Sequence, residues 1–126
     1  MSKSLLHIAS AALALATFSV AAGAADVVVT CEKRSNRSKI SVDASRLSPG
    51  SYYAKASSGA NEAQAIAQTA VRGQVEFDFD SDMRDIAEGA TAIAPGFIVD
   101  GKVTGTIYNS SGAEVGSATA ACRVRR

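Results

Sequence analysis

The chain has 126 residues, 47% of them hydrophobic and 20% charged, with 13 basic residues against 12 acidic ones. That length suits one domain with a two-layer core and leaves little chain for an elaborate active site beside it. The near balance of charge excludes a dedicated nucleic-acid binder, which needs a basic excess gathered on one face.

In chain order, the first segment has the composition of an export signal. Lys3 supplies a positive start, residues 5–22 form an apolar run broken only by His7, Ser10, Thr17 and Ser19, and Ala22, Gly23 and Ala24 provide the small residues of a cleavage site. We expect residues 1–24 to be a cleaved signal peptide and residues 25–126 to form a single periplasmic or secreted domain. The run approaches the roughly 20 apolar residues of a membrane span, but its alanine-rich character and the lack of a basic stop-transfer flank favour cleavage. No Cys follows the cleavage point to carry a lipid. Removing residues 1–24 takes away Lys3 and the one His, and leaves 102 residues with 12 basic and 12 acidic side chains.

Residues 26–33 open with the β-branched Val27, Val28 and Val29 and predict a first strand that carries Cys31. Ser35, Asn36, Arg37 and Ser38 read as a turn, after which residues 39–44 alternate through Ile40 and Val42 as a second strand. Leu47, Ser48, Pro49 and Gly50 supply another turn, with Pro presetting φ and Gly free to take positive φ. In the strand after it, residues 51–57, Tyr53 is expected inside and Tyr52 on the opposite face. Residues 59–72 read two ways. Asn61 could cap a helix over the alanine-rich residues 63–70, or Ala65, Ala67, Thr69 and Val71 could line the inner face of a strand. We expect a loop and then a strand, turned by Gly73 into the next strand as a hairpin.

Residues 74–82 give the clearest strand pattern. Val75, Phe77 and Phe79 fall on one side while Glu76, Asp78 and Asp80 fall on the other, so one face should be buried and the other wet. Ser81 or Asp82 is expected to cap a helical turn over residues 83–88, stopped by Gly89. Residues 90–96 form a small-residue connection containing Pro95. Residues 97–99 and 102–108 predict strands about a tight turn at Asp100 and Gly101, and residues 114–124 predict a last strand. The fold expected is all-β, a single antiparallel β-sandwich of about seven to eight short strands, immunoglobulin-like in layout, with one helical turn near residues 82–88.

Cys31 and Cys122 are the only cysteines. In an oxidising compartment an even count with no spare thiol reads as one disulfide, here joining the first and last strands. A metal or redox site is disfavoured because there is no C-x-x-C and no His outside the signal.

Charge is unevenly spread. Lys33, Arg34, Arg37, Lys39 and Arg46 crowd one segment, and Arg123, Arg125 and Arg126 end the chain, whereas Glu76, Asp78, Asp80, Asp82, Asp85 and Glu88 crowd another. Such segments balance one another on adjacent strands or present a dipolar surface to a charged partner. The run from Asp78 to Glu88 begins like a calcium loop, but an EF-hand register starting at Asp78 would put Met83 at the obligatory Gly and Gly89 at the bidentate Glu. Calcium is therefore the expected cofactor only in an alternative reading, with Asp80, Asp82 and Asp85 converging as ligands where the strand bends. Without His, and with both thiols expected to be oxidised, nucleophile–base catalysis cannot be assembled. A small hydrolase using paired carboxylates is the remote alternative, and no enzyme activity is expected.

The V-x-C near the start, L-S-P-G-S-Y at residues 47–52, V-E-F-D-F-D-S at 75–81, G-A-T-A-I at 89–93, V-T-G-T-I at 103–107 and the terminal A-C-R-V-R together resemble a group of small exported proteins of Gram-negative bacteria. The resemblance implies a sandwich fold and an exported location, and brings no catalytic or binding residues. The function expected is that of a non-catalytic structural or binding module towards a protein or cell-envelope partner, with edge strands or the connection at residues 82–96 as contact region.

Overall fold

The computed structural model describes residues 24–126, so the expected signal segment, all but Ala24, lies outside the described residues. In chain order the elements are β1 (Asp26–Arg34), β2 (Arg37–Ser45), β3 (Ser51–Ser58), β4 (Asn61–Thr69), β5 (Val75–Asp80), helix α1 (Met83–Ala87), β6 (Thr91–Ala92), β7 (Lys102–Asn109), β8 (Glu114–Ala121) and β9 (Arg123–Val124). One sheet has the order β6-β5-β2-β1-β9 and the other β4-β3-β7-β8. Every pairing is antiparallel except the two-residue parallel contacts of β9 on β1 and of β6 on β5. The expected β-sandwich is therefore present, with seven substantial strands and two short edge pieces.

Period-two alternation builds the core. Ile40, Val42 and Ala44 of β2 and Val75, Phe77 and Phe79 of β5 meet Ala54 and Ala56 of β3 and Val103 and Ile107 of β7, all buried. Burying each of these phenylalanines contributes on the order of 1.5–3 kcal/mol. The sheets approach closely at Gly105 of β7, where a Cβ would lie 2.8 Å from a methyl of Val29 and 2.8 Å from one of Val42. The absent side chain is what lets the layers close there.

The disulfide forms between Cys31 of β1 and Cys122, which follows β8, with 4.7 Å between the two Cα atoms. It ties the β1 side of the five-stranded sheet to the β8 side of the four-stranded one. Ala25 N–H donates to Val115 O at 3.0 Å and continues that closure.

Several expectations are corrected. Residues 61–69 are strand from the outset, and Gly73 does turn the chain tightly, with Val71 and Gln74 exchanging backbone hydrogen bonds of 3.0 Å around it. The strands on either side do not pair as a hairpin, however, because β4 pairs with β3 while β5 pairs with β2 across the sandwich. The chain between them crosses from one sheet to the other, with Arg72 and Gly73 both at positive φ. Tyr52 points inward and Tyr53 outward, the reverse of the expectation. The Tyr52 hydroxyl donates to Ser48 O at 2.6 Å, so the ring can be buried without an unpaired polar tip. Tyr53 instead stacks on Tyr108, centroids 5.0 Å apart, on the outer face.

Residues 97–99 do not form the expected strand. Asp100 and Gly101 do make the tight turn, both at positive φ, but Phe97 and Ile98 plug one end of the core instead. Side chains take over the hydrogen bonds that a strand would have made. The buried Ser38 hydroxyl donates to Pro95 O at 2.6 Å and accepts from Ile98 N–H at 3.3 Å. Ser58, also buried, accepts from Val99 N–H at 2.7 Å, and Asn61 Nδ2 donates to Phe97 O at 2.8 Å.

Candidate functional site

The side chains that could carry chemistry gather where β2 begins, β5 ends and α1 starts. Asp82 is the N-cap of α1 and accepts from Arg84 N–H at 2.8 Å, the local reason for the helical turn. Arg37, at the first position of β2, reaches across to β5. Its Nε donates to Asp80 Oδ1 at 3.0 Å and its Nη2 to Asp80 Oδ2 at 2.8 Å, a bidentate pair. The same Nη2 donates to Asp85 Oδ2 at 2.5 Å, and Nη1 lies 3.6 Å from Asp82 Oδ2.

Asp80, Asp82 and Asp85, the residues expected to converge on calcium, do converge, but the cation between them is the guanidinium of Arg37. Among the described residues no group of three or more His, Cys, Asp or Glu is disposed to hold a metal ion. Asp80 was expected on the wet face, and it does sit on the outer side of β5, yet it is only 1% exposed because Arg37 and α1 cover it. Both of its oxygens are occupied, Oδ1 by Arg37 and by Asp82 N–H at 2.9 Å. An engaged, buried carboxylate of this kind holds a fold together rather than meeting a substrate.

The electrostatics follow from the geometry. Burial opposes the charge of Asp80, but the hydrogen bonds from Arg37 and the Asp82 N–H prevail and hold its carboxyl at about 2. Asp85 is pushed upward, first by its hydrogen bond with Asp80 and then by desolvation, against the pull of Arg37. Arg37 is held firmly protonated by its hydrogen bonds to Asp80.

Beside this knot the outer face of β2 and β5 forms a recess of about 580 Å³ whose lining includes Glu76, Asp78, Asp80, Asp85 and Glu88, with Lys39 the one cation among its lining residues. Gln68 of β4 closes one wall by donating from Nε2 to Glu76 O at 3.0 Å. Next to it, Asp43 of β2 stands directly opposite Glu76 of β5, and Ser41 opposite Asp78. Two carboxylates thus face each other across a strand pair with a third nearby. Burial, countered by the Ser41 hydroxyl and reinforced by the charge of Asp78, raises the carboxyl of Asp43 above its ordinary value. The charges of Asp78 and then Asp43 do the same to Glu76.

The sequence pointed to the acidic residues and missed Arg37 as their partner and Asp43 as their neighbour. Arg37 stands 43 residues from Asp80, and only the register of β2 on β5 makes them meet. Comparison with models of protein families, with curated proteins and with solved structures produced no match to this chain.

Proposed function

We propose that this chain works outside the cytoplasm as a non-catalytic binding module, and that the acidic recess on the outer face of β2 and β5 receives a cationic segment of a protein partner. The observation that carries this reading is the carboxylate pair Asp43–Glu76, directly opposed and continued by Asp78. Like charges placed opposite each other cost folding free energy. Such a cost is tolerated at sites where something other than stability is served, and an incoming Lys or Arg relieves it. Asp80 takes no part in recognition because Arg37 already satisfies it, so the recess presents Glu76, Asp78 and Glu88 as its free carboxylates, with Asp43 at the margin. The disulfide accords with an oxidising compartment, periplasmic or secreted.

Titration of the protein with an extended Lys/Arg-rich peptide, followed by calorimetry, tests the reading. Saturable binding that weakens with salt and drops at least about tenfold in a Glu76→Gln, Asp78→Asn double variant is expected. Equal binding by the variant, or equal binding of an acidic peptide of the same length, would overturn it. Affinity capture from an envelope extract, with the double variant as control, then identifies the partner.

A further inference from the structure

We propose that the far edge of the same sheet, at β1 and β9, is a docking surface for an anionic phospholipid bilayer. The basic residues that the sequence scatters between its two ends are assembled there by one pairing. β9 lies parallel to β1, Glu32 beside Arg123 and Lys33 beside Val124, and Arg125 N–H donates to Lys33 O at 2.8 Å. Because the two strands run in the same direction, residues 123–126 travel towards the β1–β2 turn and end beside it. Lys33, Arg34, Arg123, Arg125 and Arg126 therefore share one end of the sheet.

The acid available to them there is Glu32, which pairs with Arg34 at 3.2 Å and with Arg125 at 3.2 Å. Five basic side chains thus stand there with one acidic side chain paired among them. Between them runs a shallow groove of about 380 Å³ lined by Lys33, Arg34, Ser35, Val124, Arg125 and Arg126. Val124 is 62% exposed there.

That combination selects among anionic partners. A bare polyanion needs cations alone, whereas a bilayer interface offers phosphates to the guanidinium groups and, just beneath them, an apolar layer to a side chain such as Val124. Guanidinium groups also suit phosphate better than ammonium does, through paired donors in a fixed plane. The strand order separates this basic edge at β1 and β9 from the acidic recess at β5. A bilayer held at one edge leaves the recess open to the partner proposed above, though neither site depends on the other.

Co-sedimentation of the purified exported protein with vesicles of phosphatidylcholine alone, and with about one-third phosphatidylglycerol added, tests the proposal. Binding is expected only to the anionic vesicles and is expected to fall with salt. Each arginine near the surface is worth about fivefold in affinity, so an Arg125→Gln, Arg126→Gln variant should bind about 25-fold more weakly. Val124→Ser should weaken vesicle binding while leaving the charge unchanged, and Glu76→Gln, Asp78→Asn should not weaken it. Equal binding to neutral vesicles, or unchanged binding by the arginine variant, overturns the proposal. Tighter binding to a single-stranded oligonucleotide than to the vesicles, unaffected by Val124→Ser, also overturns it and assigns the surface to nucleic acid.

Discussion

Replacing Arg37 by alanine should destabilise the protein more than any other single change at its surface. The substitution removes both hydrogen bonds that Arg37 makes to Asp80, a carboxylate only 1% exposed beneath it, and leaves Asp82 N–H as its remaining partner with Asp85 close by. Removing one partner of a buried ion pair costs about 3–5 kcal/mol. The titration of Asp80 gives an independent figure: a fall from 3.8 to about 2 corresponds to roughly 2.5 kcal/mol of preference for the ionised form in the folded state. The two agree in scale. Because the folded-state value lies below the unfolded one, this contribution is complete above about pH 4 and disappears as pH falls towards 2. Asp85 titrates in the opposite sense. Its folded value is raised, so its ionisation opposes folding as pH rises, and protonating it at low pH relieves the variant further. Urea unfolding followed by far-ultraviolet circular dichroism should therefore show a loss of about 3–5 kcal/mol at neutral pH, shrinking markedly by about pH 2.5. Arg37→Lys should recover only part of it, since an ammonium cannot make the bidentate contact. A loss below about 1 kcal/mol at neutral pH, or one of equal size at both pH values, would show that the knot is a surface contact and refute the reasoning.

Replacing Cys31 and Cys122 by alanine opens a loop with a sequence separation of 91, and a cost of about 2–5 kcal/mol is expected in the same unfolding assay. Gly105→Ala places a methyl group 2.8 Å from the methyls of Val29 and Val42, so a loss of about 1–3 kcal/mol from overpacking should lower the thermal midpoint. Glu76→Gln should stabilise the protein by about 0.2–1 kcal/mol at neutral pH by removing the charge opposite Asp43. Since the carboxyls of Glu76 and Asp43 are raised, their repulsion sets in as pH rises through those values, and the gain should vanish at about pH 3, where both are protonated. Calcium in excess, compared with chelator, should leave the thermal midpoint unchanged, because Arg37 already neutralises Asp80 and shares Asp82 and Asp85; a midpoint that rises with calcium would show that the ion displaces the guanidinium.

Strands were legible wherever one face is apolar. β2 and β5 follow their alternation through Ile40, Val42, Phe77 and Phe79, and the short helix follows its Asp82 cap. In β3 the alternation holds and only its phase was misread: Tyr52 points inward with Ala54, Ala56 and Ser58, and the Ser48 carbonyl meets its hydroxyl there. Elsewhere the pattern gave way to side chains that bond the backbone. Phe97 and Ile98 leave the strand repertoire because Ser38, Ser58 and Asn61 bond the backbone around them. In β4 the register against β3 shifts between Tyr52 and Ala54, and Ile66 is left 84% exposed, so counting by twos misplaces the residues beyond it.

The candidate site divides in the same way. Composition alone located the acidic run and the cysteine pair, because charge sign and thiol chemistry belong to a residue wherever it lies. Which carboxylates are spent internally and which remain free was decided by the registers of β2 on β5 and β9 on β1. Those registers bring Arg37 to Asp80, Asp43 to Glu76 and the terminal arginines to Lys33. Electrostatic energy depends on separation in space, and in a folded sandwich that separation is set by strand pairing between segments far apart in the chain.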